Sequence, residues 1–419
     1  MSFPRYPAYK DSGVEWLGQV PEHWAASKLR WISRRYSGGT PNKDVPEYWQ
    51  DGTVPWLNSG AVNDWLITQP SSYISEAALS NSSAKWIPAG SLLMALAGQG
   101  RTKGMTAQLA FPSTCNQSMA AIIPSAEIGA RFLLWWLTAN YQNIRNMAGG
   151  DLRDGLNLEL LGNIPCPLPP SDDQRSMASF LDHETAKIDA LIAEQQRLIE
   201  LLNEKRQAVI SNAVTKGLNP NAPMQPSGVE WLGDVPEHWD VVPYKRFVQL
   251  QNGADYKDIE TDDGYPVIGS GGPFAFATKF MHDGESVLLG RKGTIDKPLF
   301  VTGRFWTVDT MYWTRIAPDA NARFSYYAAR TIPFAFYSTN TALPSMTKGA
   351  IHGHLVPRPP LTEQINIAAF LDHETAKIGA LMVEAERAIN LLQERRSALI
   401  SAAVTGQIDV RGFASQEAA

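Results

Sequence analysis

Two sets of short loops hold the residues best suited to chemistry with a charged polymer. The first set is Gly98-Gln99-Gly100-Arg101-Thr102-Lys103-Gly104 with Asn116-Gln117-Ser118. The second is Gly269-Ser270-Gly271-Gly272, Gly290-Arg291-Lys292-Gly293-Thr294 and Pro344-Ser345-Met346-Thr347-Lys348-Gly349. Glycine lets a backbone approach closely, Lys and Thr reach phosphates, and Arg or Gln can pair bidentately with base edges. The candidate nucleic-acid contacts are therefore Gln99, Arg101, Thr102, Lys103, Asn116, Gln117, Ser270, Arg291, Lys292, Thr294 and Lys348. One such loop alone reads equally as a solvated turn; the informative point is that comparable loops occur in two unrelated stretches.

Residues that would catalyse a reaction are mostly missing. There is no Gly-x-x-x-x-Gly-Lys-[Ser/Thr] phosphate loop, no His-Glu-x-x-His and no Asn/Asp-Pro-Pro-aromatic motif of an amino-group DNA methyltransferase. Asp255-Tyr256-Lys257 carries only the tail of a nuclease motif, a tripeptide common by chance. Asp182-His183-Glu184 recurs as Asp372-His373-Glu374. At the acidic start of a helix, capping or partner docking explains this better than metal ligation. His23, His183, His238 and His373 also lie in repeats, where catalysis would have to occur twice, and His352 and His354 lack a carboxylate or thiol at ligand spacing. No catalytic residue and no metal site is expected.

The elements that position these loops are built twice. Ser12-Gly13-Val14-Glu15-Trp16-Leu17-Gly18-Gln19-Val20-Pro21-Glu22-His23-Trp24 returns at 227–239 with one change, Gln19 to Asp234. Phe180-Leu181-Asp182-His183-Glu184-Thr185-Ala186-Lys187-Ile188 returns unchanged at 370–378, each copy preceded by a Pro-Pro entry and a Gln (Gln174, Gln364). The stretches between the repeats show almost no mutual identity. The layout is a framework segment 1–24, a variable block 25–166, a long helix 167–216, a second framework segment 217–239, a second block 240–356 and a second long helix 357–419. Within the first block, helix is expected at Ser75–Ser80 and Ala130–Arg145, among Gly- and Pro-punctuated strands.

In the helical stretches apolar residues recur in alternating steps of four and three. The seam runs Ile188, Ile192, Ile199, Leu202 and Val209 in one copy and Ile378, Met382, Ile389, Leu392 and Leu399 in the other. Roughly 40 helical residues make a rod of about 60 Å, and two matching rods in one chain can cover each other as an antiparallel coiled coil. The alternative is that each helix packs on its own domain. Arg206 and Arg396, on the seam, need a carboxylate or an exit to solvent. Trp16, Trp24, Trp231 and Trp239, with Asp182, His183, Asp372 and His373, are candidates either for anchoring this framework or for docking a partner. The fold class is mixed α+β, with two globular heads and an internal pseudo-two-fold duplication.

Composition sets limits on the partners. The chain has 419 residues, 37 Lys+Arg against 42 Asp+Glu, a net charge of −5 and a pI near 5.9. A wholly basic coat protein is excluded, but a local basic face is not. The acidity belongs to the helical stretches, and the variable blocks are slightly positive. Two cysteines, Cys115 and Cys166, are too few for a disulfide framework. With two cysteines and no apolar leader after Met1, a reducing cytoplasm is the expected compartment.

On the twice-used Gly-Val-Glu-Trp-Leu-Gly-x-Val-Pro-Glu-His-Trp and Phe-Leu-Asp-His-Glu-Thr-Ala-Lys-Ile, the chain resembles the specificity subunits of type I DNA restriction-modification systems. Gly38-Gly39-Thr40-Pro41 and Gly290-Arg291-Lys292-Gly293-Thr294 look like parts of that family's target-recognition domains. The resemblance implies that each head reads one half of a split site on double-stranded DNA, that the helical pair sets the spacing, and that this subunit does no chemistry. It also implies two methyltransferase subunits, a further pair of nuclease-translocase subunits in some assemblies, and S-adenosylmethionine, ATP and Mg used by those partners, with no cofactor bound here. The rivals are a coiled-coil adaptor whose heads bind proteins, and a site-reading subunit of another phage-defence assembly.

Overall fold

The computed structural model describes residues 3–14, 17–98, 101–147, 155–338 and 344–413. Four helices carry the architecture: α1 (Ala130–Ala139), α2 (Ser171–Lys216), α3 (Ala322–Ala329) and α4 (Leu361–Val404). The chain divides into two units, residues 1–194 with 388–419, and residues 195–387. Each unit combines helices with sheets.

In the first unit, strands Tyr9–Asp11 and Gln19–Pro21 form a hairpin within the repeat. Strand Ala25–Lys28 then pairs antiparallel with Pro165–Leu168, bringing the two ends of the first variable block together. Inside the block lie β1 (Ser33–Ser37), β2 (Val54–Leu57), β3 (Leu66–Ile67), β4 (Ser72–Ile74), β5 (Leu92–Ala95), β6 (Thr106–Leu109), β7 (Thr114–Cys115) and β8 (Met119–Pro124). They form a five-stranded sheet ordered β1-β8-β5-β6-β3 and a three-stranded sheet ordered β7-β2-β4.

The larger sheet is covered on both faces, so its central strands are apolar throughout rather than alternating. Leu92, Met94, Ala120 and Ile122 point into one core with Phe132, Leu133 and Trp136 of α1. Leu93, Ala95, Met119 and Ala121 point into another with Leu57, Val62 and Ile67. The helix expected over 130–145 is interrupted at Asn140, whose amide donates to the Trp136 carbonyl; a second short helix, Tyr141–Asn146, follows.

The second unit repeats this plan with different side chains. Hairpin Met224–Pro226/Asp234–Pro236 and the antiparallel pair Asp240–Pro243/Leu355–Arg358 bound its block. Its strands are β9 (Val248–Asn252), β10 (Glu260–Thr261), β11 (Tyr265–Gly269), β12 (Gly272–Ala277), β13 (His282–Asp283), β14 (Ser286–Gly290), β15 (Leu299–Val301), β16 (Arg304–Thr307) and β17 (Met311–Ile316). They form sheets ordered β9-β17-β14-β15 and β10-β12-β11-β16-β13.

Each unit receives the start of one long helix and the end of the other. In the first, Phe180, Leu181 and Ile188 of α2 share a core with Leu399, Ile400, Ala403 and Val404 of α4. Arg396 is held there by Asp189 at 2.8 Å. In the second, Ile210, Ala213 and Val214 of α2 pack with Ile367, Ala368 and Leu371 of α4, and Arg206 donates to Asn203 on its own helix.

Every expected seam residue is buried or half-buried. Off the seam, Leu191, Leu198, Leu201, Leu381 and Leu391 are exposed despite being equally apolar. Both helices end before a glycine in the left-handed region, Gly217 (φ 75°) and Gly406 (φ 72°). A Cβ at Gly217 would meet the ring of Trp239, and one at Gly406 the rings of Pro21 and Trp24.

Candidate nucleic-acid interface

Each head places part of its candidate set just beyond a short parallel strand pair, Asn116 and Gln117 in one and Ser270 in the other. In the first head, β7 pairs parallel with β2, Cys115 opposite Leu57. A Cβ on Gly38 would lie 1.9 Å from the Cys115 carbonyl oxygen, so only glycine fits, and Gly39 N–H donates to that oxygen at 2.8 Å. In the second head, β11 pairs parallel with β16, and a Cβ on Gly253 would lie 2.0 Å from the Val308 carbonyl. The glycine is thus demanded by backbone packing in both heads, whichever side chains follow.

Beyond the pair in the first head, the Thr40 hydroxyl donates to Gln117 Oε1 at 2.5 Å, and Asn116 Oδ1 accepts from the Ser118 N–H at 3.0 Å. Lys43, Gln50, Asn58, Asn116 and Gln117 line one open cleft of about 670 Å³, backed by Trp49 and Trp56. These amides and one lysine provide both donors and acceptors, as base-edge readout requires. Asn116 and Gln117 were among the expected contacts; Thr40, Lys43, Gln50 and Asn58 were not, because their convergence depends on the strand pairing.

The other expected loop of this head is less uniform. Arg101 is exposed, and its carbonyl accepts from the Tyr141 hydroxyl. It edges a second, apolar recess with Trp65, Met105 and Tyr141, and Thr102 beside it is half-buried. Lys103, expected at the surface, is only 4% exposed, because its turn folds back where β6 begins. Gln99 lies outside the described residues.

In the second head, Arg291 N–H donates to the Thr310 carbonyl at 2.8 Å, and its guanidinium reaches the Asp309 carbonyl at 3.3 Å. Lys292 and Thr294 beside it are exposed. The Arg291 carbonyl accepts from the Met346 N–H at 2.9 Å, which brings the 344–348 segment alongside. Lys348 there lies over the Tyr312 ring at 5.7 Å. Ser270 is half-buried in the turn joining β11 to β12.

The residues expected at the framework serve mainly as internal joints. Trp24 is fully buried and its indole N–H donates to Asp173 at 3.3 Å, with His23 Nε2 on the same carboxylate at 2.9 Å. Trp239 is 2% exposed and donates to Glu363 at 3.0 Å, with His238 Nε2 at 2.7 Å. Partner docking by Trp24 and Trp239 is therefore corrected: a buried indole has no face to offer. The acidic residues at the helix starts also acquire a role, as acceptors for these His-Trp pairs.

Asp182 and Asp372 are likewise engaged within their own units. Asp182 accepts from Arg131 Nε at 2.8 and 2.9 Å and from Trp135 Nε1 at 2.9 Å. Asp372 accepts from Arg323 Nε at 2.7 Å and the Tyr327 hydroxyl at 2.6 Å. Both carboxylates keep a solvent-facing side, so these internal bonds give them a structural role without burying them. Gln174 accepts from Gly129 N–H at 2.7 Å and Gln364 from Asn321 N–H at 2.9 Å, fixing the entry to α1 and α3.

Arg131 and Arg323 went unread in the sequence, although Ala-Arg-Phe at 130–132 returns at 322–324. Of the remaining docking candidates, Trp231 is 44% exposed and stacks on His354 at 4.7 Å. His183 is half-buried beside Phe413, and His373 is exposed. Trp16 lies outside the described residues.

Burial pushes both the Cys115 and Cys166 thiols up to about 12, which makes them poor nucleophiles. Among the described residues no three His, Cys, Asp or Glu side chains converge as metal ligands, and no helix is long and apolar enough to cross a membrane.

A family model described as "Type I restriction modification DNA specificity domain" matches residues 21–201 and again 236–383. The EcoprrI specificity subunit of Escherichia coli is 23% identical over 376 residues, covering 86% of this chain and 87% of that one. The EcoR124I/EcoR124II specificity subunit of Escherichia coli is 26% identical over 234 residues, 54% of this chain and 49% of that protein, so this match spans about half the relative's length. In fold, the chain is similar to one in a structure described as the assembly and conformational transition of the type I R-M system, with TM-score 0.73 and 15% identity, covering 92% and 98% of the two chains. It is also similar to the HsdS subunit from Thermoanaerobacter tengcongensis, with TM-score 0.55 and 15% identity, covering 93% and 98%.

Proposed function

The chain belongs to the type I restriction-modification DNA specificity family, and from that premise we propose that it is the site-choosing subunit of such a complex, each head reading one half of an asymmetric bipartite DNA site. The observation that carries this reading is the pairing of one backbone plan with two unlike sets of polar side chains. Asn58, Asn116 and Gln117 stand beyond the parallel pair in one head. Arg291 and Lys292 stand on the Asp309-Thr310 turn that follows the parallel pair in the other. Amides suit adenine edges and Arg suits guanine edges, so the halves should differ in sequence.

In this reading the long helices form an antiparallel coiled coil that spaces the heads, and the framework docks two methyltransferase subunits, with a further pair of nuclease-translocase subunits in restricting assemblies. The subunit contributes no reaction step. S-adenosylmethionine, ATP and Mg act on the partners, and no cofactor is bound by this chain. Its compartment is the cytoplasm of a prokaryote.

A salt series on the assembled methylating complex tests the DNA contact. Log affinity for random duplex should fall steeply and linearly with log salt, with a slope of about −0.9 per phosphate neutralised. A flat response would favour heads that bind protein, the adaptor alternative.

A further inference from the structure

We propose that Asp182 and Asp372 are positioning residues, each fixing the seat of a head on its long helix and thereby the gap between half-sites that the complex accepts. This rests on the reading that each head reads one half-site. The two aspartates occupy the same place in nine-residue repeats, yet their partners come from blocks of unrelated sequence. Those partners coincide in kind: an arginine and, four residues on, an aromatic side chain with a polar hydrogen, Arg131 and Trp135 on α1, Arg323 and Tyr327 on α3.

The relay does not stop at the arginine. Arg131 lies over the ring of Trp65 at 5.2 Å, and Trp65 immediately precedes β3, an edge strand of the larger sheet. Arg323 lies over Phe300 at 4.4 Å, within β15, an edge strand of the matching sheet. In both units, then, carboxylate, guanidinium and ring link the long helix to the edge of the sheet. Apolar contact alone would hold a head in place but would tolerate sliding. A carboxylate held by a guanidinium and a second donor fixes direction as well as distance.

The two carboxylates are not deeply buried, with side-chain exposures of 37% and 39%. Removing the charge therefore leaves no sealed, unpaired ion, and a geometric role can be separated from a stabilising one.

The test rebuilds the methylating complex with Asp182→Asn or Asp372→Asn, and with the milder Trp135→Phe and Tyr327→Phe, then maps methylated adenines genome-wide and records melting curves. Half-site sequences should stay as in the wild type. Methylation at sites whose gap differs by one base pair should rise about tenfold in the Asn variants, the effect of losing one charge-assisted bond. Melting should shift by only about 2–4 °C.

Wild-type gap selectivity in all four variants would overturn the proposal. So would altered base preference within a half-site, which would place the pair in the reading surface, or loss of all methylation with a collapsed melting curve, which would make the joint merely structural. A wild-type complex with no bipartite site would instead refute the reading on which the proposal rests.

Discussion

At the helix starts, the two units use the same donor pair on an acidic acceptor: His23 and Trp24 close on Asp173, and His238 and Trp239 close on Glu363. In the loops past β5 and β14 the backbone is shared and the side chains are not. Leu96 N–H donates to the Ser118 carbonyl just past β5, while Arg291 N–H donates to the Thr310 carbonyl just past β14, each at 2.8 Å. Where main-chain bonds and a close glycine contact hold the shape, side chains are free to answer to a ligand. Where side chains themselves form the joint, they must be repeated.

That contrast is broken most forcefully at the joints. Trp239→Ala empties a buried site against Gly217 and should cost about 3–5 kcal/mol, read by denaturant unfolding. A loss below about 1 kcal/mol would mean that the indole is not an anchor.

A smaller effect comes from a position where the two units differ. Ile164 in the first unit and His354 in the second both accept a backbone N–H at the block boundary, from Leu29 and Tyr244 respectively. His354 is 1% exposed, and burial lowers its pKa to about 4 from the ordinary 6.5. The unfolded chain therefore takes up the proton first as pH falls. The stability linked to neutral His354 is complete above about pH 6.5 and is lost towards pH 4, amounting to about 3 kcal/mol. His354→Ile should flatten the fall in unfolding free energy between pH 6.5 and 4.5; an unchanged slope would show that another group carries the acid sensitivity.

At the reading ends, Arg291→Ala should cost about 1–3 kcal/mol in recognition and relax one half-site only, measured on the methylation map of the assembled complex. Relaxation of both halves would contradict separate heads. The smallest effect is expected off the seam. Leu391→Gln, at an exposed position, should change stability by no more than about 0.5 kcal/mol, whereas Ile188→Ala, on the buried seam, should cost about 2–4 kcal/mol. Equal costs would remove the distinction between the two helix faces.

Much of this architecture was legible in the residues, because identical repeats and a regular apolar spacing are local signals. Ile188, Leu202, Ile378 and Leu399, picked out by that spacing, are buried. What escaped depends on contacts distant in sequence. Lys103 looks like a surface cation until its turn is seen to fold into the head, and Trp24 looks equally suited to a partner until Asp173, 149 residues later, accepts its N–H. Asn58 joins Asn116 only through a parallel strand pair. Arg131 and Arg323 were marked by a shared Ala-Arg-Phe, too short a match to stand out between blocks that otherwise differ.

The central claim is tested most directly by mapping methylated adenines in cells with and without this chain, its methylating partners being present in both. The account predicts one motif, dependent on the chain, made of two unlike half-sequences separated by a gap of fixed length. A continuous or symmetric motif, or a map unchanged when the chain is removed, would contradict it.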